Sequence, residues 1–224
     1  MKTQRVCIGM IISLLTFKSL VSAQVSPSGD GQCYKVPFAS SGNMIELTVE
    51  NGSSQPVNNI RVSGEDLPSW LKLTPSEQVI DRVMAKKERT VFFTFAIDKS
   101  APVNKEQIVT FKISALSGET WNKEIKVAIS SPDRFELYQN FPNPFNPSTT
   151  ISYILPYSAY VTLTIYNLLG QEVAKIVGDN RDAGYHQELW NASAISSGVY
   201  LYQLSFLDQN GVQVISRKTL VVVK

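Results

Sequence analysis

Apolar and polar residues alternate along most of this chain with the two-residue period of half-buried strands, and no helical 3.6-residue period of useful length appears. In the N-terminal half, Met44–Val49 places Ile45, Leu47 and Val49 on one face, and Asn51-Gly52-Ser53-Ser54 reads as a turn into a strand over Asn58–Val62. Pro68-Ser69-Trp70-Leu71 begins a short segment that ends at Pro75. Arg89–Ile97 is the most β-prone stretch, and the loop Asp98–Asn104 follows it. Gln107–Ala115 and Trp121–Ile129 then read as a hairpin around Ser117-Gly118. In the C-terminal half, strands are expected over Thr149–Leu155, Tyr160–Asn167, Glu172–Val177, Asp182–Trp190, Gly198–Leu207 and Val212–Val223. Over Tyr160–Asn167, Val161, Leu163 and Ile165 should be buried, with Thr162, Thr164 and Tyr166 opposite. Leu168-Leu169-Gly170-Gln171 and Asn210-Gly211 supply turns, the latter suited to positive φ.

Between these halves the pattern breaks at Asn140-Phe-Pro-Asn-Pro-Phe-Asn-Pro-Ser-Thr-Thr150. Pro142, Pro144 and Pro147 lack a backbone N–H and push the residues before them toward extended conformations. The segment is therefore a stiff lead-in, with Phe141 and Phe145 as apolar anchors against whatever follows. About seven short strands in some ninety residues fit an immunoglobulin-like sandwich. The whole reads as an all-β chain: two immunoglobulin-like β-sandwich domains in tandem after a signal peptide. The expected boundaries are 1–23 for the signal peptide, 24–31 for a flexible leader, 32–130 for the first sandwich, 131–134 for a linker and 135–224 for the second. Each sandwich is long enough to bury its own core.

The motifs of the second sandwich agree in order and spacing with a known family. NFPNPFNPSTTI, VTLTIYNLLGQEVAKIV, AGYHQELWNA, SSGVYLYQL and the terminal Lys224 together resemble the type IX secretion system C-terminal sorting domain of type A. That family is in turn similar to the immunoglobulin-like domain of flagellar hook-capping proteins. The resemblance spans Phe135–Lys224. It implies that Phe141, Pro142, Asn143, Pro144, Phe145, Asn146, Pro147, Tyr166, Asn167, Gly170, Gly184, Trp190, Gly198, Tyr200 and Lys224 carry the sorting motif. It also implies recognition by the type IX machinery at the outer membrane of a Gram-negative bacterium, removal of the domain, and attachment to the surface or release. Met44–Ser114, with its Trp70-Leu71 pair ahead of a basic turn, resembles NEW3-like bacterial immunoglobulin-like modules.

The first residues change the picture of charge. Lys2 and Arg5 precede the apolar run Val6–Phe17, and Val21-Ser22-Ala23 supplies the small residues of a cleavage site between Ala23 and Gln24. The run is shorter than the roughly 20 residues of a membrane span, and no transmembrane segment is expected elsewhere. The full chain has 21 basic and 19 acidic residues; without Lys2, Arg5 and Lys18 the balance is 18 to 19, a net charge of −1. Nucleic acid is thus not an expected partner. Cys7 leaves with the leader, so Cys33 has no partner within the chain; it reads as a spare or packed residue near the chain start, with pairing between chains as the alternative.

Candidate chemistry is sparse. His186 is the sole histidine and reads as a strand residue rather than part of a nucleophilic site. No metal or cofactor motif is present, and none is expected. Glu65-Asp66, in a Gly-Glu-Asp-Leu-Pro loop, offers a calcium-binding or acid–base pair against the plainer reading of a solvated turn. Lys86-Lys87-Glu88-Arg89 is a charged turn or guarded edge, or else a patch for anionic polysaccharide. Trp70 and Trp121 are core aromatics or sugar-stacking platforms. Asn51 and Asn191 match glycosylation sequons and read as turns. The expected protein is a secreted or cell-surface one whose first module is structural or adhesive and non-catalytic. A polysaccharide-binding accessory module and a small carboxylate-based hydrolase are the alternatives.

Overall fold

In the computed structural model, the described residues are 10–11, 15–19 and 33–224, with side chains described from Cys33 onward. The expected cleavage site at Ala23–Gln24 and the leader 24–31 lie outside them. The described chain is all strand and turn, without a helix, and divides into two compact units, Met1–Ser130 and Ser131–Lys224.

The first unit is a sandwich of two sheets. Its strands are β1 (Met10–Ile11), β2 (Leu15–Ser19), β3 (Cys33–Val36), β4 (Asn43–Asn51), β5 (Val57–Glu65), β6 (Leu71–Thr74), β7 (Glu77–Val83), β8 (Glu88–Ile97), β9 (Glu106–Ser114) and β10 (Thr120–Ile129). One sheet runs β4-β8-β6, with β1 and β2 both on the outer side of β4; the other runs β3-β10-β9-β5-β7. Inward rows such as Ile45/Leu47/Val49 on β4 and Val109/Phe111/Ile113 on β9 are almost fully buried. The rings of Phe93 and Phe111, one from each sheet, meet at 5.5 Å between centroids. Alternation alone accounts for this: each strand hands every second side chain to the space between the sheets.

Within residues 32–130, two strands escape the sequence pattern. Glu77–Val83 is polar at most positions and half-exposed even at Val79, yet it pairs with β5. Cys33–Val36 pairs in parallel with β10, Cys33 opposite Lys126, so the cysteine belongs to a strand rather than a loose chain start.

The second unit has β11 (Glu136–Leu137), β12 (Ser148–Leu155), β13 (Ala159–Tyr166), β14 (Glu172–Arg181), β15 (Gly184–Asn191), β16 (Gly198–Leu207) and β17 (Gln213–Val222). They form the sheets β11-β12-β15 and β14-β13-β16-β17. Val161, Leu163 and Ile165 are fully buried, as the alternation predicts. Thr164 on the other face is buried too, because β13 is an interior strand with Lys175 opposite on one side and Gln203 on the other. β14 runs beyond the expected end at Val177 to Arg181, and the Tyr160 hydroxyl donates to the Gly178 carbonyl at 2.6 Å. Gly170 and Gly211 have φ near +79° and +77°, which explains glycine at these two turns.

Candidate functional site

The proline-rich lead-in is built into the second sandwich by polar groups that its sequence does not advertise. Asn140, 2% exposed, donates from Nδ2 to the Pro142 carbonyl (3.1 Å) and to Thr149 Oγ1 (2.9 Å). Thr149 Oγ1 in turn donates to the same Pro142 carbonyl at 2.8 Å. The Asn140 backbone N–H donates to the Tyr202 hydroxyl (3.0 Å), which itself donates to the Tyr138 carbonyl (2.7 Å). Burial pushes the Tyr202 phenol up to about 12. Phe141 exchanges both backbone hydrogen bonds with Thr150. Asn140, Thr149 and Tyr202 were not singled out by motif. The available signal was that Tyr202 shares the inward parity of Leu204 and Phe206.

The two phenylalanines of the lead-in part company. Phe145 is buried to 3% and packs against Trp190 at 5.7 Å between ring centroids. Phe141 is 80% exposed, which corrects its reading as an anchor. Its neighbours Asn140 and Thr150 fix the backbone, and consecutive residues on an extended chain point to opposite sides.

The same segment grips the chain's last residues. Phe145 N–H donates to the Val221 carbonyl and Val223 N–H to the Phe145 carbonyl, each at 3.0 Å, a parallel bridge between the lead-in and β17. Asn143 Oδ1 accepts from Val221 N–H at 2.9 Å. Lys224 Nζ donates to the Ser193 carbonyl (2.8 Å), and its backbone N–H to Ser197 Oγ (3.0 Å). The Pro147 carbonyl accepts from Ala192 N–H at 2.8 Å. Thus Asn143, Phe145, Pro147, Trp190 and Lys224, spread over the sequence, meet at one end of the unit. Asn167 instead organises its own turn at Gly170, its Oδ1 accepting from Leu169 and Gln171 N–H. Tyr200 donates to the Ser196 carbonyl near the start of β16. Leu168 and Leu169 are exposed on the Asn167 turn.

His186 stacks on Tyr153 at 5.1 Å, with Nε2 2.8 Å from the Asp182 carbonyl. The Tyr153 hydroxyl donates to Glu188, which pairs with Arg181 at 3.0 Å. Burial, and then the Glu188 charge, raise the Tyr153 phenol well above its usual range. This is a polar join between the edge strands β14 and β15, not a nucleophilic triad.

In the first unit, Glu65 is the last residue of β5 rather than a loop residue, and it pairs with Lys112 across the sheet at 3.1 Å. Asp66 alone takes the turn, with φ +48°. No group of three or more potential metal ligands forms among the described residues. Lys86 and Lys87 make the turn between β7 and β8, clamped to the buried Asn51 through Lys86 N–H to the Asn51 carbonyl and Asn51 N–H to the Lys87 carbonyl. Glu88 and Arg89 open β8 and pair with β4 on one side, while β6 meets β8 only over Thr94–Ile97, so the two charges stand on an open stretch of edge. Asn51 is fully buried and its amide donates to the Gln55 and Val83 carbonyls. Trp70 is buried in the core and Trp121, partly buried, packs against it. The Cys33 thiol is pushed up, first by burial and then by Glu106, which suppresses its thiolate.

Residues 139–221 match the family model described as the secretion system C-terminal sorting domain. No curated protein matches the chain. Similar solved structures include the Pseudomonas aeruginosa CupB2 chaperone, at 12% identity over 84% of this chain and 97% of that one, with a TM-score of 0.29. They also include dimeric latent PorU from Porphyromonas gingivalis, at 13% identity over 96% of this chain and 20% of that one, with a TM-score of 0.35. The YadV chaperone is a third, at 14% identity, 84% and 98% coverage and a TM-score of 0.28. The second unit thus carries a secretion sorting signal of the type IX kind, and the protein is exported, to the cell surface or beyond. No helix among the described residues is long and apolar enough to cross a membrane.

Proposed function

We propose that the unit from Ser131 onward is what the type IX machinery at the outer membrane reads, and that the first sandwich is a non-catalytic structural or adhesive module carried to the surface by it. The observation that carries this is the joining of the Asn143–Pro147 lead-in to Val221–Lys224 at one end of the second sandwich, in the region matched by the sorting-domain family. A signal built from both ends of a domain is presented only when that domain is folded. The sorting role therefore belongs to the folded unit rather than to a linear tail. In the first module, Glu65 is taken up by Lys112 and both tryptophans by the core, which favours a structural role over hydrolysis or sugar stacking. After passage the sorting unit is removed and the module is attached to the surface or released. A chain ending at Ser131 tests the reading by fractionation in a type IX-competent host. It should accumulate in the periplasm while the full chain reaches the surface or medium. Equal surface delivery of the two would overturn it.

A further inference from the structure

The sheet β4-β8-β6 has one long side. β8 covers one edge of the nine-residue β4, and the opposite edge meets only β1 and β2 among the described strands. Those two strands lie within residues 1–23, the segment whose sequence reads as a removable export leader. The strands from Cys33 onward still enclose a core of their own without them, from Val36 to Ile129. What precedes β3 in the processed chain, Gln24–Gln32, has Val25 as its one large apolar residue and holds Pro27, so it makes a poor replacement. The other edges of the unit are short or interrupted. β3 and β6 have four residues each, with Pro75 directly after β6. β7 exposes Asp81 and Arg82 and skips Asn59 in its pairing with β5. β8 beyond β6 (88–93) and β10 beyond β3 (120–125) leave six residues each. Among the described strands the nine-residue β4 thus presents the longest ladder of the kind that native sheets avoid leaving open.

We propose that the outer edge of β4 is a strand-acceptor site, opened when residues 1–23 are removed, for an extended peptide segment in which apolar residues alternate with basic ones. The inference rests on that removal. Main-chain pairing supplies the affinity and the alternate side chains supply the selectivity. The outward row of β4 is Met44, Glu46, Thr48 and Glu50, two carboxylates in four positions. The register of β2 gives the apolar half of that pattern, Leu15 opposite Leu47 and Phe17 opposite Ile45. Opposite the carboxylates stand Thr16 (Glu46) and, on β1, Ile11 (Glu50), with Lys18 one step diagonally from Glu46, so the basic half is set by the charge of the β4 row itself. A second copy fits worse. Antiparallel β4–β4 pairing centred on Leu47 would put Glu46 and Glu50 of both chains into one row, and like charges on neighbouring strands repel.

The test uses residues 24–224 and a labelled peptide of the sequence Met10–Leu20, with a scrambled peptide of equal composition beside it. Saturable binding of the first peptide, with amide exchange slowed at residues 43–51, supports the site. Binding equal to the scrambled control, no saturable binding, or protection elsewhere overturns it. The Lys18→Glu peptide should bind about 2- to 5-fold more weakly, and Glu46→Lys in the protein should reverse that order, as expected for one cross-strand charge pair. An order unchanged by Glu46→Lys would refute the charge preference. The first residue of the exported protein, read by mass spectrometry, checks the opening step separately. Exported protein that still begins at Met1 would sink that step, whatever the peptide does, and leave the sorting role untouched.

Discussion

Phe145→Ala and Phe141→Ala change the same residue type within one motif, and the structure assigns them opposite costs. The Phe145 ring is 3% exposed and lies against Trp190. Its truncation removes the ring but leaves both backbone bonds to β17, so the loss is transfer energy plus a cavity, about 3–5 kcal/mol. Set against the roughly 5–15 kcal/mol that holds a domain folded, that is a large share. Phe141, at 80% exposure, has little burial to lose and should cost within about 0.5 kcal/mol. Residues 131–224 enclose their own core, from Leu137 to Val222, and contain Trp190 as their sole tryptophan. Urea unfolding of that unit, followed by Trp190 fluorescence and by circular dichroism, measures both variants. The midpoint should fall sharply for Phe145→Ala and stay in place for Phe141→Ala, with the slope unchanged in each. Equal losses, or a loss below about 1 kcal/mol at Phe145, would refute the packing argument. The pair also separates folding from recognition, because a Phe141→Ala chain that is stable but poorly exported would place the exposed ring at the machinery rather than in the core.

Leu163→Ala, at a fully buried position of β13, should cost about 2–5 kcal/mol, and Thr162→Ala, half-buried on the other face, much less. Denaturation midpoints check this, and similar losses would mean the faces are misassigned. The raised Tyr202 phenol makes stability fall in alkali. The unfolded chain ionises near 10 while the folded one holds its proton to about 12, so stability is intact below the lower value and drains away between the two. The slope is about 1.4 kcal/mol per pH unit for each such group. Tyr153 acts in the same direction, so Tyr202→Phe should flatten the alkaline slope in part. A slope unchanged by that substitution would show that Tyr202 ionises alike in both states.

What the sequence made legible follows from local rules, and what it hid follows from contacts between distant residues. The face of Val161, Leu163 and Ile165 could be read because a strand with one buried side must alternate. β7 was hidden because its two buried residues, Ile80 and Val83, are three positions apart, so Glu77–Val83 shows no alternating apolar row. Glu65 looked like half of an acidic loop pair because its lysine lies 47 residues further on, across a sheet. Phe141 and Phe145 were equivalent by type, and only Trp190 and β17 distinguish them. The resemblance points to residues of the lead-in one by one, yet what holds the lead-in in place is Asn140, Thr149 and Tyr202. Those polar groups are ordinary in sequence. Buried together, they must satisfy one another or cost the fold dearly. That requirement ties the proline segment to β16, while Asn143 and Phe145 tie it to β17. The lead-in and the tail therefore stand or fall together with the sandwich between them.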